Sequence, residues 1–298
     1  WGESKLPGTG GKPVVYGFQF GRGWGVRDDV TRRLEDGVLP ILHGRIGDED
    51  VQYEVTAFTS LERSPLTAAT LRGTPYLVAD LYGAGHMFTP AQQAEVNRLR
   101  EIEANRDEET VLYLRGVATN HGAVPRYALF KTMTPQLVKR TEWHVDGARG
   151  FGLFKSGRVY AVAKLNGHPA GEEHSVLLRP GESAVFEIYV PHDPISPERA
   201  GTLLGQSFDA RAAEARQFWQ QKLGQAARWR LPETRIDEMV RAGLLHLDLI
   251  TYGLEPNGIV YGITQRLLNV PVETRIRQLQ TNLQRIRDIA PSLVATPK

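Results

Sequence analysis

Short stretches in which apolar and polar residues alternate dominate the first two hundred residues, and this pattern limits the possible folds most. In residues 51–58 the odd positions, from Val51 to Ala57, are apolar and the even ones are mostly polar. A period of two is typical of a β-strand with one buried face. Residues 184–190 are more uniformly apolar, which indicates an interior strand.

Nine segments are rich in β-branched and aromatic residues, and turn-forming residues separate several of them. They are residues 14–20, 38–43, 51–59, 75–80, 110–118, 126–132, 158–165, 175–178 and 184–190. A polar helix predicted over residues 90–105 interrupts them. The pattern predicts a β-rich (α+β) fold in which residues 1–194 form a large antiparallel β-sandwich.

After Pro194 the apolar residues recur at helical spacing. A first amphipathic helix is predicted from a cap at Ser207 to about residue 227, with a stripe made by Ala212, Ala215, Trp219 and Leu223. A second begins near Pro232 and ends near residue 252, with a stripe made by Met239, Ala242, Leu245, Leu249 and Ile250. A third is predicted over residues 272–289. We expect a linker with the first helices in residues 195–258 and a helical tail in residues 259–298.

Composition excludes several classes of protein. The formal net charge of +2 gives no electrostatic footprint for nucleic acid. The absence of cysteine excludes disulfides, thiolate zinc sites and cysteine nucleophiles. No apolar run approaches the roughly 20 residues of a membrane span. The chain begins at Trp1 without a signal segment, so we expect an excised piece. The compartment, bacterial cytoplasm or exported, stays open.

No metal or cofactor is predicted. None of the eight histidines forms a pair with metal-ligand spacing, although residues 143–146 and 192–193 are groups that folding could bring together. The glycine-rich residues 8–11 and 21–25 match no complete nucleotide-binding fingerprint, and flexible turns are the favoured interpretation. No serine elbow for acyl transfer is present.

Glycoside hydrolysis needs two carboxyl groups across a sugar bond, and aromatic rings often pack on sugars. Among the acids, Asp248 on an apolar helix and Glu255 in the following turn are notable. The favoured interpretations are a buried ion pair or hydrogen bond for Asp248 and an ordinary exposed turn acid for Glu255. The aromatic candidates are Trp24, Trp143 and Tyr252, for each of which packing is the commoner use.

Residues 15–257 resemble the front end of bacterial six-hairpin glycosidases, which join a large β-sandwich to an (α/α)6 barrel. The segments that carry the resemblance are EDGVLPILHG (35–44), PRYALFK (125–131), FWQQKL (218–223) and RIDEMVRAGLLH (235–246). The resemblance implies a carbohydrate-active module of a glycoside hydrolase-like protein, with an oligosaccharide or polysaccharide partner and no required cofactor.

In that family the helix after the sandwich leads into the barrel, whose inner helices carry the two catalytic acids. The present chain departs from the family pattern after Gly258, so no catalytic residue is assigned and we expect the active site to be incomplete. If residues of this chain contact sugar, we expect Trp143, Tyr252, Glu255 and Asn257 to do so.

The C-terminal residues resemble the end of a peptidoglycan-binding module of L,D-transpeptidases. The similar segments are GLEPNGIVYG (253–262), LNVPVE (268–273), RIRQL (275–279) and NLQR (282–285). From residue 261 onward six basic residues stand against two acidic ones, which leaves a net charge of about +4 in this tail. Two alternatives to the carbohydrate-active module therefore stay open: a cell-wall binding module, and a structural protein whose helices assemble into an oligomer. For the carbohydrate-active module, the expected partner is a helical barrel domain.

Overall fold

The computed structural model describes residues 15–23, 30–67, 70, 90–91, 94, 108–136, 138–225 and 231–249, with side chains to residue 246. The chain forms two compact units, one of Trp1–Thr74 with Asn105–Leu245 and one of Pro75–Ala104 with His246–Lys298. The elements below lie in the first unit, apart from the end of the last helix. The domain boundaries predicted at residues 194 and 258 stay predictions.

The described residues contain twelve strands, three α-helices and one short 3-10 helix, Arg140–Glu142. The strands are β1 (Tyr16–Phe20), β2 (Val30–Glu35), β3 (Leu39–Asp48), β4 (Val51–Leu61), β5 (Thr110–Asn120), β6 (Arg126–Pro135), β7 (Trp143–Asp146), β8 (Phe151–Phe154), β9 (Val159–Leu165), β10 (His168–Pro169), β11 (Glu173–Leu178) and β12 (Ser183–Pro191). The helices are α1 (Pro197–Leu204), α2 (Phe208–Gln225) and α3 (Thr234–Leu249).

All the strand pairs are antiparallel, and they form two sheets. The large sheet has nine strands in the order β2-β3-β4-β5-β12-β9-β8-β7, with β10 paired to β9. The small sheet has the order β1-β6-β11. The predicted β-rich fold, a large antiparallel sandwich followed by amphipathic helices, is confirmed.

Each face of the large sheet carries a buried core. On one face, rings of Phe20, Tyr53, Phe130 and Phe186 form a core with the small sheet, and the last two stack at 5.1 Å between centroids. On the other face, Phe58 of β4 packs edge-on against Phe208 of α2 at 5.1 Å. Successive side chains of a strand point to opposite faces. The predicted alternation in β4 therefore puts Tyr53 toward the small sheet, while Phe58, at an even position, faces the helices.

Helices α1 and α2 each begin after a serine cap, and the cap predicted at Ser207 is confirmed. The Ser196 hydroxyl accepts a hydrogen bond from the Arg199 N–H before α1, and Ser207 accepts one from the Ala210 N–H at 3.3 Å. The predicted stripe of α2 is confirmed because Ala212, Ala215 and Trp219 are buried and Leu223 packs against them. None of the helices in the described part of the chain is long and apolar enough to cross a membrane.

The predicted stripe of α3 needs one correction. Leu245 is buried and Ala242 packs against the core, whereas Met239 is 66% exposed. A step of three residues turns about 300° around a helix, so each such step drifts by about 60°. Met239 lies two such steps before Leu245, so it is about 120° away from Leu245 around the helix and does not face the sheet.

Several other predicted segments fall outside the described residues. These are the strand over residues 75–80, almost all of the helix over 90–105, and the third helix over 272–289. Strands β2, β7, β8 and β10 were not predicted. The edge strand β2 is mostly charged and polar, and β7 and β8 are only four residues long, so their alternation is weak.

Ion pairs attach the helices to the sheet. Glu62, which follows β4, is fully buried, and Arg199 of α1 holds it with two hydrogen bonds, one of them 2.9 Å long. Arg211 of α2 donates to the carbonyl oxygens of Arg63 and Ser64 at 2.7 and 3.0 Å. Because a buried charge is costly unless it is paired, these contacts hold α1 and α2 in one position.

This arrangement predicts unequal effects of removing two carboxylates. Glu62→Ala removes the buried carboxylate that accepts hydrogen bonds from Arg199 and from the Glu109 N–H, and it should lower the free energy of unfolding by about 3–5 kcal/mol. Glu173→Ala removes the exposed partner of Lys131 and should cost less than about 1 kcal/mol. Urea unfolding followed by circular dichroism measures both values. Equal losses would contradict the anchoring role of Glu62.

Candidate functional site

A row of polar side chains crosses the helix-facing side of the large sheet. We call Arg33, His43, Thr56, Arg115, Glu187 and Lys164 the polar row; each is the direct register partner of the next, through β2, β3, β4, β5, β12 and β9. Register partners point to the same face, so six strands place these groups side by side.

The central part of the polar row is a network of opposite charges. Glu187 accepts hydrogen bonds from Arg115 Nε at 2.8 Å and from the Tyr189 hydroxyl at 2.8 Å, and Lys164 Nζ lies 2.9 Å from it. Arg115 also donates to Asp209 in the first turn of α2, at 2.6 and 3.1 Å. The guanidinium lies 4.0 Å from the centre of the Phe208 ring. The network therefore joins three strands to the start of α2.

The carboxylates of this network are stabilised in their charged form. Burial alone raises the pKa of Glu187, but hydrogen bonds from Lys164, Tyr189 and Arg115 outweigh it and hold that pKa below its ordinary value. The hydrogen bond from Arg115 likewise lowers the pKa of Asp209. A catalytic proton donor needs the opposite shift, so these two groups suit ion pairing.

At the other end of the polar row, His43 bridges two side chains. Its Nε2 lies 3.1 Å from Glu35 Oε2 and its Nδ1 lies 3.2 Å from Thr56 Oγ1. Arg216 of α2 holds Glu35 with two hydrogen bonds and, as the main cause, lowers the pKa of that carboxyl. The imidazole side chain is 42% exposed and is oriented by a carboxylate, an arrangement that fixes its tautomer. This group joins β2, β3 and β4 to α2.

Next to the polar row, away from the helical core, the same face of the sheet is partly exposed. We call Arg45, Gln52, Glu54, Val117, Thr119, Ser183 and Val185 the open strip. Arg45 and Gln52 both donate to Glu54 Oε1, at 3.4 and 3.1 Å, and the hydroxyl oxygens of Thr119 and Ser183 lie 2.8 Å apart. The side chains of Arg45 and Glu54 are each 61% exposed. The open strip is thus a polar surface with both hydrogen-bond donors and acceptors.

Of the predicted sugar-binding residues, the structure describes only Trp143. Its side chain is buried between the sheets, its Nε1–H donates to the Val138 carbonyl at 3.3 Å, and the Arg140 guanidinium lies 3.9 Å from the ring centre. A sugar stacking on that side of the ring would have to displace Arg140. Tyr252, Glu255 and Asn257, like Trp24 and the side chain of Asp248, lie outside the described residues, so their roles stay predictions.

The sequence contained one usable signal for the polar row. Glu187 is a charged residue inside an otherwise apolar strand, and a charge at such a position needs a partner. Its partners Arg115 and Lys164 come from distant strands, and no local pattern gives their register. Within the described residues, no group of three or more His, Asp or Glu side chains could hold a metal ion, and residues 143–146 and 192–193 form none.

Comparisons with known proteins assign no family to the chain. No protein-family model matches it, and no curated protein matches it either. The resemblances to six-hairpin glycosidases and to the transpeptidase module therefore stay predictions.

The lowered pKa values of Glu35 and Glu187 predict acid sensitivity. Because the pKa values of Glu35 and Glu187 are lowered in the folded protein, their contribution to stability is complete above the unfolded Glu pKa of about 4.3. It is lost as the pH falls through the lower folded values. Thermal melts between about pH 5 and pH 2 should show a smaller loss of Tm for Glu187→Gln than for the unaltered chain. Identical losses would contradict the role of Glu187.

Proposed function

We propose that this chain is the sandwich and first-helix module of a glycoside hydrolase-like, carbohydrate-active protein, and that its catalytic acids lie outside the module. Its role is to pack against a helical barrel and to contribute surface for an oligosaccharide or polysaccharide. The observation that carries the proposal is a helix, α3, with apolar residues on two opposite sides.

The inner side of α3 packs against the sandwich. Leu245 is 4% exposed and belongs to the core between the large sheet and the helices, and Ala242 packs against the same core. Arg33 of β2 lies 3.8 Å from Glu238 of α3. These contacts place one side of α3 against the sandwich.

The outer side of α3 is apolar and exposed. Ile236 and Met239 are 52% and 66% exposed, and about 180° around the helix separates Ile236 from Leu245. Gly243 lies on the outer side too, and a Cβ at this position would meet none of the described atoms within 4 Å. We call Ile236, Met239 and Gly243 the outer stripe. A helix that is apolar on two opposite sides is typical of one packed between two layers.

The position of α3 in the chain fits the proposal. The segment RIDEMVRAGLLH, through which the sequence resembles six-hairpin glycosidases, forms most of this helix. In that family the corresponding helix leads into the barrel. The outer stripe would then pack on the barrel. The carboxylates of Glu35, Glu187 and Asp209, each held by a cation, would support the fold instead of transferring protons.

The outer stripe also favours a second candidate, self-association. An apolar stripe on one helix can pack on the same stripe of a second copy about a twofold axis. Light scattering coupled to size-exclusion chromatography distinguishes the two: a stable dimer lost on Ile236→Glu supports self-association, and a monomer excludes it. The cell-wall alternative depends on residues 253–285, outside the described part of the chain, and stays a prediction.

The proposed function predicts carbohydrate retention without hydrolysis. The purified chain should be retained on insoluble polysaccharide, and an assay for reducing ends should detect no release of sugar by the chain alone. Purified peptidoglycan serves as the comparison. Retention on peptidoglycan alone would favour the cell-wall module, retention on neither would contradict both, and hydrolysis would contradict the absence of catalytic acids.

The two sides of α3 should respond differently to substitution. Leu245→Ala opens a cavity in the core and should lower the free energy of unfolding by about 2–5 kcal/mol. Met239→Ala removes a side chain that is already exposed and should change it by about 0.5 kcal/mol or less. Urea unfolding measures both. A large loss for Met239→Ala would mean that the outer stripe already has a partner within the chain.

A further inference from the structure

We propose that the open strip is a binding surface for a short stretch of a neutral polysaccharide. This inference rests on the proposed function and specifies where on the module the sugar binds and which chemical class it belongs to. Neither the resemblance nor the predicted residues Trp143, Tyr252, Glu255 and Asn257 point to this face.

The open strip is large enough for a short stretch of polysaccharide. It crosses β3, β4, β5 and β12 in two rows, Arg45–Glu54–Val117–Val185 and Gln52–Thr119–Ser183. Neighbouring strands lie about 4.8 Å apart and alternate residues about 6.8 Å apart along a strand. The open strip therefore measures about 14 Å by about 7 Å, which is room for a few sugar rings.

Helix α2 borders one long side of the open strip. Asp209 near its start binds Arg115, and Arg216 two turns later binds Glu35, whose other partner is His43. Arg115 and His43 belong to the polar row directly beside the open strip. The helix thus follows the polar row across the strands, so a ligand on the open strip would lie beside α2.

The polar groups of the open strip match the chemistry of a sugar. Each sugar hydroxyl both donates and accepts a hydrogen bond, so a surface that binds several of them needs both functions. Glu54 supplies acceptor oxygens, Arg45 supplies donors, and Gln52, Thr119 and Ser183 supply both. Of the described residues only Arg45 and Gln52 donate to Glu54, both to Oε1, which leaves Oε2 to accept from a ligand. Methyl groups of Val117 and Val185 lie beside them and suit the C–H faces of the sugar rings.

The charge of the open strip favours a neutral ligand. Its one cation, Arg45, is paired with its one anion, Glu54, so the strip carries no net charge. Binding of nucleic acid depends on unpaired basic residues that neutralise phosphates. An acidic polysaccharide would meet the exposed carboxylate of Glu54 without a surplus of basic groups. A neutral polysaccharide needs no unpaired basic residues and is not repelled by the carboxylate of Glu54.

Affinity electrophoresis of the full chain tests the proposal. Native gels contain hydroxyethyl cellulose, galactomannan or pullulan as neutral probes, and polygalacturonate as the acidic one. The unaltered chain should be retarded by at least one neutral probe and not by the acidic one. The double variant Gln52→Ala/Glu54→Ala should bind that probe at least about tenfold more weakly.

Glu173→Ala is the matched control. It removes the acid of an exposed pair, Lys131–Glu173, on the outer face of the small sheet, as Glu54→Ala removes the acid of Arg45–Glu54. It should leave retardation unchanged within about twofold. Circular dichroism melts confirm that both variants fold; if the double variant does not, Gln52→Glu, which replaces an amide donor by a second carboxylate, is used in its place.

The outcomes separate this inference from the proposed function. Neutral retardation that persists in the folded strip variant overturns the open strip as the site and leaves the proposed function standing. Retardation mainly by polygalacturonate overturns the ligand class. A chain that no probe retards overturns both proposals.

Discussion

The presence of a buried core on each face of the large sheet is the constraint on which the rest of the structure depends. Tyr53 and Phe58 lie on the same strand and point to opposite faces, and both are buried, one by the small sheet and the other by α2. A sheet with two apolar faces is stable only when both are covered. The helices are therefore part of the same fold as the strands, and a sandwich without them would expose the rings of Phe58, Tyr113 and Tyr189.

The polar row marks where this helical cover ends. On one side of it lie the aromatic residues under the helices, and on the other side lies the open strip. Every charge of the network around Glu187 has an opposite partner, and one of these partners, Asp209, belongs to α2. Beside His43, Arg216 of the same helix pairs with Glu35. Charges placed in this way fix the position of the helix across the strands, because a shift of one turn would separate Asp209 from Arg115 and Arg216 from Glu35.

The fold could largely be predicted from the sequence because the patterns that identify strands, caps and helix stripes each lie within a short segment of the chain. Eight of the nine predicted strands coincide with observed ones, and the Ser207 cap and the stripe of α2 are confirmed. The errors arise where tertiary context overrides the pattern: β2 is an edge strand with little alternation, and Met239 continues a stripe that the sheet does not cover.

The candidate site could not be predicted in the same way. Arg115 and Glu187 are 72 residues apart, and only the pairing of β5 with β12 brings them together. The buried position of Trp143 shows the same limit, since an aromatic residue of a core strand and one of a binding face look alike in sequence. Register between distant strands, rather than residue type, decides which side chains share a surface.

Native-state hydrogen exchange tests most directly whether the helices and the large sheet form one cooperative unit. The amides of Ala215 in α2 and of Ile188 in β12 should exchange with the same free energy of opening, equal to that of global unfolding. If the amide of Ala215 exchanged through a much smaller opening while that of Ile188 stayed protected, the helices would be a separable layer and the account would be contradicted.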